Sequence, residues 1–268
     1  MNFRFFRCVF EIGLLLLGIC VPALTLAVEE RKKPTDWGAV VRVLNALTIE
    51  EAREWAALKN PPRESTLDGG WATLDALTTL SAEVAEVLVL PAVALSLNGL
   101  VELSPEVAAV LARHKPVPQF GHADLRLNGL KTISPKAAEA LAAHSGKVLL
   151  TALETLDSLP LAQKLARQWG EIRLGLTELS PGIAAELAKH RGNEEDKTRP
   201  GVTFRRQDGA ASVLRLDNIA ALSPEAAEAL SAHEGVLVLN GLTTLPPAVA
   251  APLARRVGNS KTKRTGTL

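Results

Sequence analysis

The chain has 268 residues, 47% of them hydrophobic, 22% charged and 4% aromatic, with two cysteines, no tyrosine and a formal net charge of +1. These figures exclude a disulfide scaffold, a disordered highly charged chain, a collagen-like chain and a polytopic membrane protein, and the length allows a sizeable core in one or two domains. Residues 1–27 read as an address. Arg4 and Arg7 precede an apolar run from Ile12 to Val28, and Thr25 and Ala27 hold the −3 and −1 places of a signal-peptide cleavage site. The run is longer than most secretory cores and Glu11 stands at its front edge, so an uncleaved N-terminal anchor is the alternative. Cys20 invites lipidation, but Ile19 stands where a small residue is required. Cleavage after Ala27 removes both cysteines, Cys8 and Cys20, and with them any disulfide or thiolate metal site. It also removes Arg4, Arg7 and Glu11, leaving 28 basic and 28 acidic side chains, a balance that argues against a general nucleic-acid surface.

Residues 28–40 form a charged linker, and from residue 41 to residue 256 one unit recurs. LSLNGLVELSPEVAAVLARH, LRLNGLKTISPKAAEALAAH, LRLDNIAALSPEAAEALSAH and LVLNGLTTLPPAVAAPLARR are versions of it. The anchors are Leu47, Leu77, Leu100, Leu130, Leu153, Leu176, Ile219 and Leu242, separated by 30, 23, 30, 23, 23, 43 and 23 positions. About eight units of 23 residues, three of them carrying inserts, account for the series. In the first half of a unit, leucines alternate as in Leu95, Leu97 and Leu100, which predicts a strand with one buried face. Asn-Gly then predicts a turn in which glycine supplies positive φ. The second half opens with Ser-Pro at Ser104, Ser134, Ser180 and Ser223, an N-cap followed by proline at the first helical position. A helix of two to three turns follows, with Ala108, Leu111, Ala138 and Leu141 at core spacing, too short to persist without neighbours.

A strand and a short helix per unit, each burying its leucines on the next, predict an α/β solenoid with a parallel β-sheet on one face and short helices on the other. The pattern LxLxxLxxLSPExAxxLA resembles the leucine-rich repeats, and within them the cysteine-containing subclass, with Leu100 and its equivalents at the cysteine place. The resemblance implies a binding protein and leaves its ligand unspecified. Two departures disturb the register: an extra helix residue before Leu165, and a strand, Ile172 to Leu176, that lacks one residue in its turn.

The inserts, 61–71, 115–124 and 191–213, all fall between a helix and the next strand, and so are expected to form a rim beside the sheet. They carry Phe120 and Phe204, the phenylalanines outside the leader, together with Trp71, Arg205 and Arg206. The aromatic side chains either plug each loop onto the edge or anchor a partner, and the charges of the third insert, Arg205 and Arg206 among them, equally fit a solvated mobile loop. His122 and Asp124 in the second insert are a weak catalytic pair without a nucleophile. His114, His144, His190 and His233 share one repeat position at a helix end, where imidazole bonds free carbonyls; no carboxylate recurs beside them to complete a metal shell.

Outward strand positions read Val43, Thr73, Ser96, Arg126, Leu149, Arg173, Arg215 and Val238, so Arg126, Arg173 and Arg215 form an interrupted basic track on the sheet face. They serve either solubility or recognition of an acidic protein or glycan. The turn residues Asn98, Asn128, Asp217 and Asn240 read as turn formers. Residues 257–268 form a basic disordered tail. No nucleotide loop, zinc-protease motif or nucleophile elbow occurs, and no metal or cofactor is implied. The expectation is an exported or cell-envelope binding module, not an enzyme. It engages a protein or polysaccharide through Arg126, Arg173, Arg215, Phe120, His122, Phe204, Arg205 and Arg206, with no nucleic acid and no membrane contact beyond an uncleaved leader. The alternative is a structural spacer or envelope scaffold, and an enzyme using the insert loops ranks third.

Overall fold

Serine and threonine decide where the helices start. Thr48, Ser81, Ser104, Ser134, Ser158, Ser180 and Ser223 stand in extended backbone, and each accepts a hydrogen bond from the amide three residues on. One of the donors that a helix start leaves open is thereby satisfied. The helices they open are α1 (Ile49–Ala56), α2 (Ala82–Leu88), α3 (Pro105–Ala112), α4 (Pro135–Ala142), α5 (Leu159–Ala166), α6 (Pro181–Ala188) and α7 (Pro224–Ser231); α8 (Pro247–Asn259) ends the series. The computed structural model describes residues 45–57, 63–64, 71–89, 94–114, 124–168, 170–191 and 212–259. Each helix packs on its sequence neighbours, with Ala108, Leu111, Ala138, Leu141, Ala184 and Leu187 buried between them. That packing supplies the stability a two-turn helix lacks in water.

The strands are short: β1 (Arg63–Glu64), β2 (Trp71–Thr73), β3 (Ala94–Ser96), β4 (Leu125–Arg126), β5 (Val148–Leu149), β6 (Ile172–Arg173), β7 (Val213–Arg215) and β8 (Val236–Val238). They form two sheets, one in the order β1-β2-β3-β4-β5 and the other β6-β7-β8. From β2 onward the pairing is parallel and joins equivalent residues of successive units: Leu95 to Leu125, Leu125 to Val148, Ile172 to Leu214, and Leu214 to Leu237. The fold is α/β with parallel sheets and sequentially packed helices. Leu95, Leu97, Leu100, Leu125, Leu127 and Leu130 are fully buried, as the alternation predicts. In the last unit Leu237, Leu239 and Leu242 are only half-buried, because no described strand covers them.

Four details differ from the sequence expectations. The first insert extends the sheet itself, since β1 pairs antiparallel with β2 and lies along its outer edge. The parallel ladder is interrupted between β5 and β6. There the amide of Val148 donates to Gln168 Oε1 at 2.9 Å, a side chain taking the bond that Leu125 N–H gives to the Lys147 carbonyl one layer earlier. The extra residue of the Leu153 unit lies before the cap Ser158, so α5 keeps eight residues like its neighbours. The residue missing after β6 offsets this gain, and Leu153 and Leu176 remain 23 positions apart.

The Asn-Gly glycines provide the fourth difference. Among the described glycines only Gly170, with φ of 79°, has positive φ. Gly99 and Gly129 are instead required by close approach: a Cβ on Gly129 would lie 2.1 Å from the Asn98 carbonyl oxygen, and one on Gly99 would lie 2.2 Å from that of Asp75.

Candidate functional site

The sheet face is built on a row of turn side chains that tie each layer to the next. Asp75 Oδ1 accepts from the Ser96 hydroxyl at 2.7 Å and from the Asn98 amide at 2.9 Å, while Asn98 Nδ2 donates to Asp75 Oδ2. Asn98 Oδ1 then accepts from the Asn128 amide, and Asn128 Oδ1 from the Thr151 amide, each at 3.1 Å. These residues are therefore more than turn formers, since they bond amides of the following layer. A parallel row of threonines does similar work. The Thr78, Thr177 and Thr243 hydroxyls and amides all donate to a carbonyl of the preceding layer, on Asn45, Glu154 and Ala220 respectively.

On this frame the outward strand positions come into lateral register. Ser96, Arg126 and Leu149 are cross-strand neighbours in the first sheet, but Ser96, expected to face outward, is buried with its hydroxyl donating to Asp75; Arg173, Arg215 and Val238 are neighbours in the second. The basic track is thus divided, with Leu149 and the break between β5 and β6 separating Arg126 from Arg173. Arg173 is exposed, whereas Arg126 and Arg215 are half-buried. Arg215 is also held by carboxylates, its Nε donating to Glu171 Oε1 at 2.9 Å and its Nη1 to Asp217 Oδ2 at 3.4 Å. The bonds to Glu171 and Asp217 raise the pKa of its guanidinium further. Two like charges placed opposite each other, as Arg173 and Arg215 are, destabilise a strand pair unless neutralised, and Glu171 does this.

A second row of charges, absent from the sequence reading, runs immediately before the strands. Asp124, Lys147 and Glu171 occupy equivalent positions one residue ahead of Leu125, Val148 and Ile172, giving an alternation of negative, positive and negative. Asp124 is buried, and its Oδ1 accepts from the Lys147 backbone amide at 2.8 Å. Burial lowers the pKa of the Lys147 ammonium, with Asp124 and Glu171 opposing that shift. Lys164 reaches in from α5 and donates to the Gly146 carbonyl at 2.7 Å; burial lowers its pKa as well, opposed by Asp124. The only advance signal was the sign alternation at intervals of 23 and 24 residues. It escaped a reading that followed one outward position per strand.

The recurring histidines are buried and belong to the frame. His190 Nδ1 lies 3.1 Å from the Ala166 carbonyl and its Nε2 lies 2.7 Å from that of Gly170; His233 Nδ1 lies 3.2 Å from the Ala188 carbonyl. The carbonyls on Ala166 and Ala188 are the C-terminal ends of the preceding helices, α5 and α6, which leave them without intrahelical partners, so each ring closes its neighbour's helix rather than its own. The rings stack pairwise, His114 on His144 and His190 on His233, at 6.2 Å between centroids. Gln168 interrupts the series at the position of the sheet break. Among the described residues no group of three or more His, Cys, Asp or Glu is placed to hold a metal ion, and no helix is long and apolar enough to cross a membrane.

Of the sequence-predicted ligand residues, the structure places Arg126, Arg173 and Arg215. Phe120, His122, Phe204, Arg205 and Arg206 lie outside the described residues, as do the leader, the linker and residues 260–268; residues 257–259, expected to begin the disordered tail, instead continue α8. No family model matches this chain, and comparison with curated proteins and with solved structures gives no match.

Proposed function

We propose that the chain is an exported leucine-rich-repeat-like solenoid of about eight 23-residue repeats that binds a protein or polysaccharide through its sheet face and the adjoining insert edge. The observation that carries this reading is the lateral register of the solvent-reaching side chains, Arg126 with Leu149, and Arg173 with Arg215 and Val238. Register of this kind repeats donors, acceptors and apolar groups at the strand spacing of about 4.8 Å. An extended ligand with its own short repeat, a polysaccharide or a stretch of polypeptide, matches such a surface. Acids flank the arginines, as Glu171 and Asp217 flank Arg215, so the face favours a ligand of mixed polarity over a polyanion.

The runner-up is a structural spacer or envelope scaffold. It draws support from the same ion pairs, because an arginine already held by two carboxylates has less to offer a ligand. Crosslinking the native protein in its own envelope, followed by identification of what it holds, separates the two readings. The Arg126→Glu/Arg173→Glu variant should lose at least about tenfold in partner capture, together with most of its salt dependence. Unchanged capture would remove the sheet face from the site. Deletion of residues 192–211 tests the insert edge separately: a binding module loses its partner, whereas a scaffold still assembles.

A further inference from the structure

We propose that the uncharged outer side of the last layer is an interface between two copies of this chain, paired β8 to β8 about a twofold axis. Three observations converge there. Among the described residues β8 is paired only with β7, so its other edge presents open backbone donors and acceptors. The leucines that should close the core, Leu237, Leu239 and Leu242, are half-buried, and Val236 and Leu245 are 48% and 56% exposed. From Gly235 to Ala254 there are twenty consecutive residues without a charge.

Neutrality on this scale identifies the occupant. Exposed sheet edges are ordinarily guarded by lysine, proline or a covering segment, and terminal repeats by a polar outer face. Junctions inside the fold carry ion pairs, Glu86 with Arg113, Lys131 with Glu154, Glu171 with Arg215 and Glu228 with Arg255, whereas the stretch Gly235–Ala254 has no charge to contribute to one. A charged partner would be desolvated against it without compensation. The stretch Lys261–Arg264 of the same chain is excluded for that reason, whereas a second Gly235–Ala254 surface is as neutral as the first.

The symmetry follows from the other end of the first sheet. Because β1 occupies the outer edge of β2, β8 of one copy cannot add to β2 of the next; the edge left there is the two-residue, charged strand β1, Arg63–Glu64, which matches the uncharged β8 poorly. Pairing of β8 with itself is antiparallel and closed. It uses the strand edge and leaves the proposed ligand face free, so it stands or falls independently of that reading.

Light scattering with size-exclusion chromatography on the full-length chain in mild detergent should give twice the chain mass. The Val236→Lys and Val236→Glu variants should each give a single chain mass with an unaltered circular dichroism spectrum, and mixing the two should restore the doubled mass through opposite charges. Thr244→Lys and Thr244→Glu provide the same pair should either Val236 variant fail to fold. A wild-type monomer across the micromolar range would overturn the proposal. A dimer indifferent to both substitutions would do the same, because it would place the association elsewhere, as in the apolar leader. Monomeric variants that do not reassociate on mixing would show that the layer meets something other than its own copy.

Discussion

Gly129 touches the carbonyl of the previous layer so closely that its value is spatial rather than conformational. Gly129→Ala places a methyl group 2.1 Å from the Asn98 oxygen, and the backbone must move to admit it. We expect a loss of about 1–3 kcal/mol in urea unfolding, the range for an over-packed contact. Asn128→Ala leaves the Thr151 amide without its acceptor and should cost about 1–2 kcal/mol in the same measurement. Lys147 and Lys164 make a pH-dependent contribution of known sign. Their folded pKa values lie below 10.5, so between those values and 10.5 the unfolded chain binds more protons than the folded one. Stability should therefore rise with pH through that alkaline window, and Lys147→Met should flatten the rise in thermal melts recorded across it.

The short elements were legible in the sequence wherever their cause is local. Ser134 and Pro135 announce the start of α4 within two residues, and Leu95, Leu97 and Leu100 announce a buried strand face within six. Ser134→Ala should accordingly cost about 1 kcal/mol, read as a lowered urea midpoint. What could not be read depends on partners 20 to 44 residues away. The clearance required at Gly129 belongs to Asn98, the acceptor for the Val148 amide is Gln168, and the neutralising partner of Arg215 is Glu171. The same limit applies to the candidate site. Arg126, Arg173 and Arg215 were found by counting one position per strand, but the acids that alter their meaning stand one row away, in a register fixed only by pairing.

Among the described residues the joint between β5 and β6 keeps its helix packing but lacks strand pairing. Local opening is expected to follow that joint, because fewer backbone bonds must break there. Amide hydrogen exchange should show less protection at Val148 than at Leu125 and Leu127, whose amides donate to the Lys147 and Leu149 carbonyls. Gln168→Ala should widen the difference, leaving the buried Val148 amide unmatched at a cost of about 1–3 kcal/mol. Protection at Val148 equal to that at Leu125 in the wild type would mean that the interruption has no energetic weight.

The strand β1 acquires a further significance when the order of synthesis is considered. It leaves the ribosome before β2 does and folds back onto it across a link of six residues, so the early side of the first sheet ends in a two-residue charged strand almost as soon as the sheet exists. Layers up to β5 then add to the strand just laid down, and a nascent chain growing in that manner offers other emerging chains a short border of opposite charges, Arg63 and Glu64, in place of the longer edge of β2.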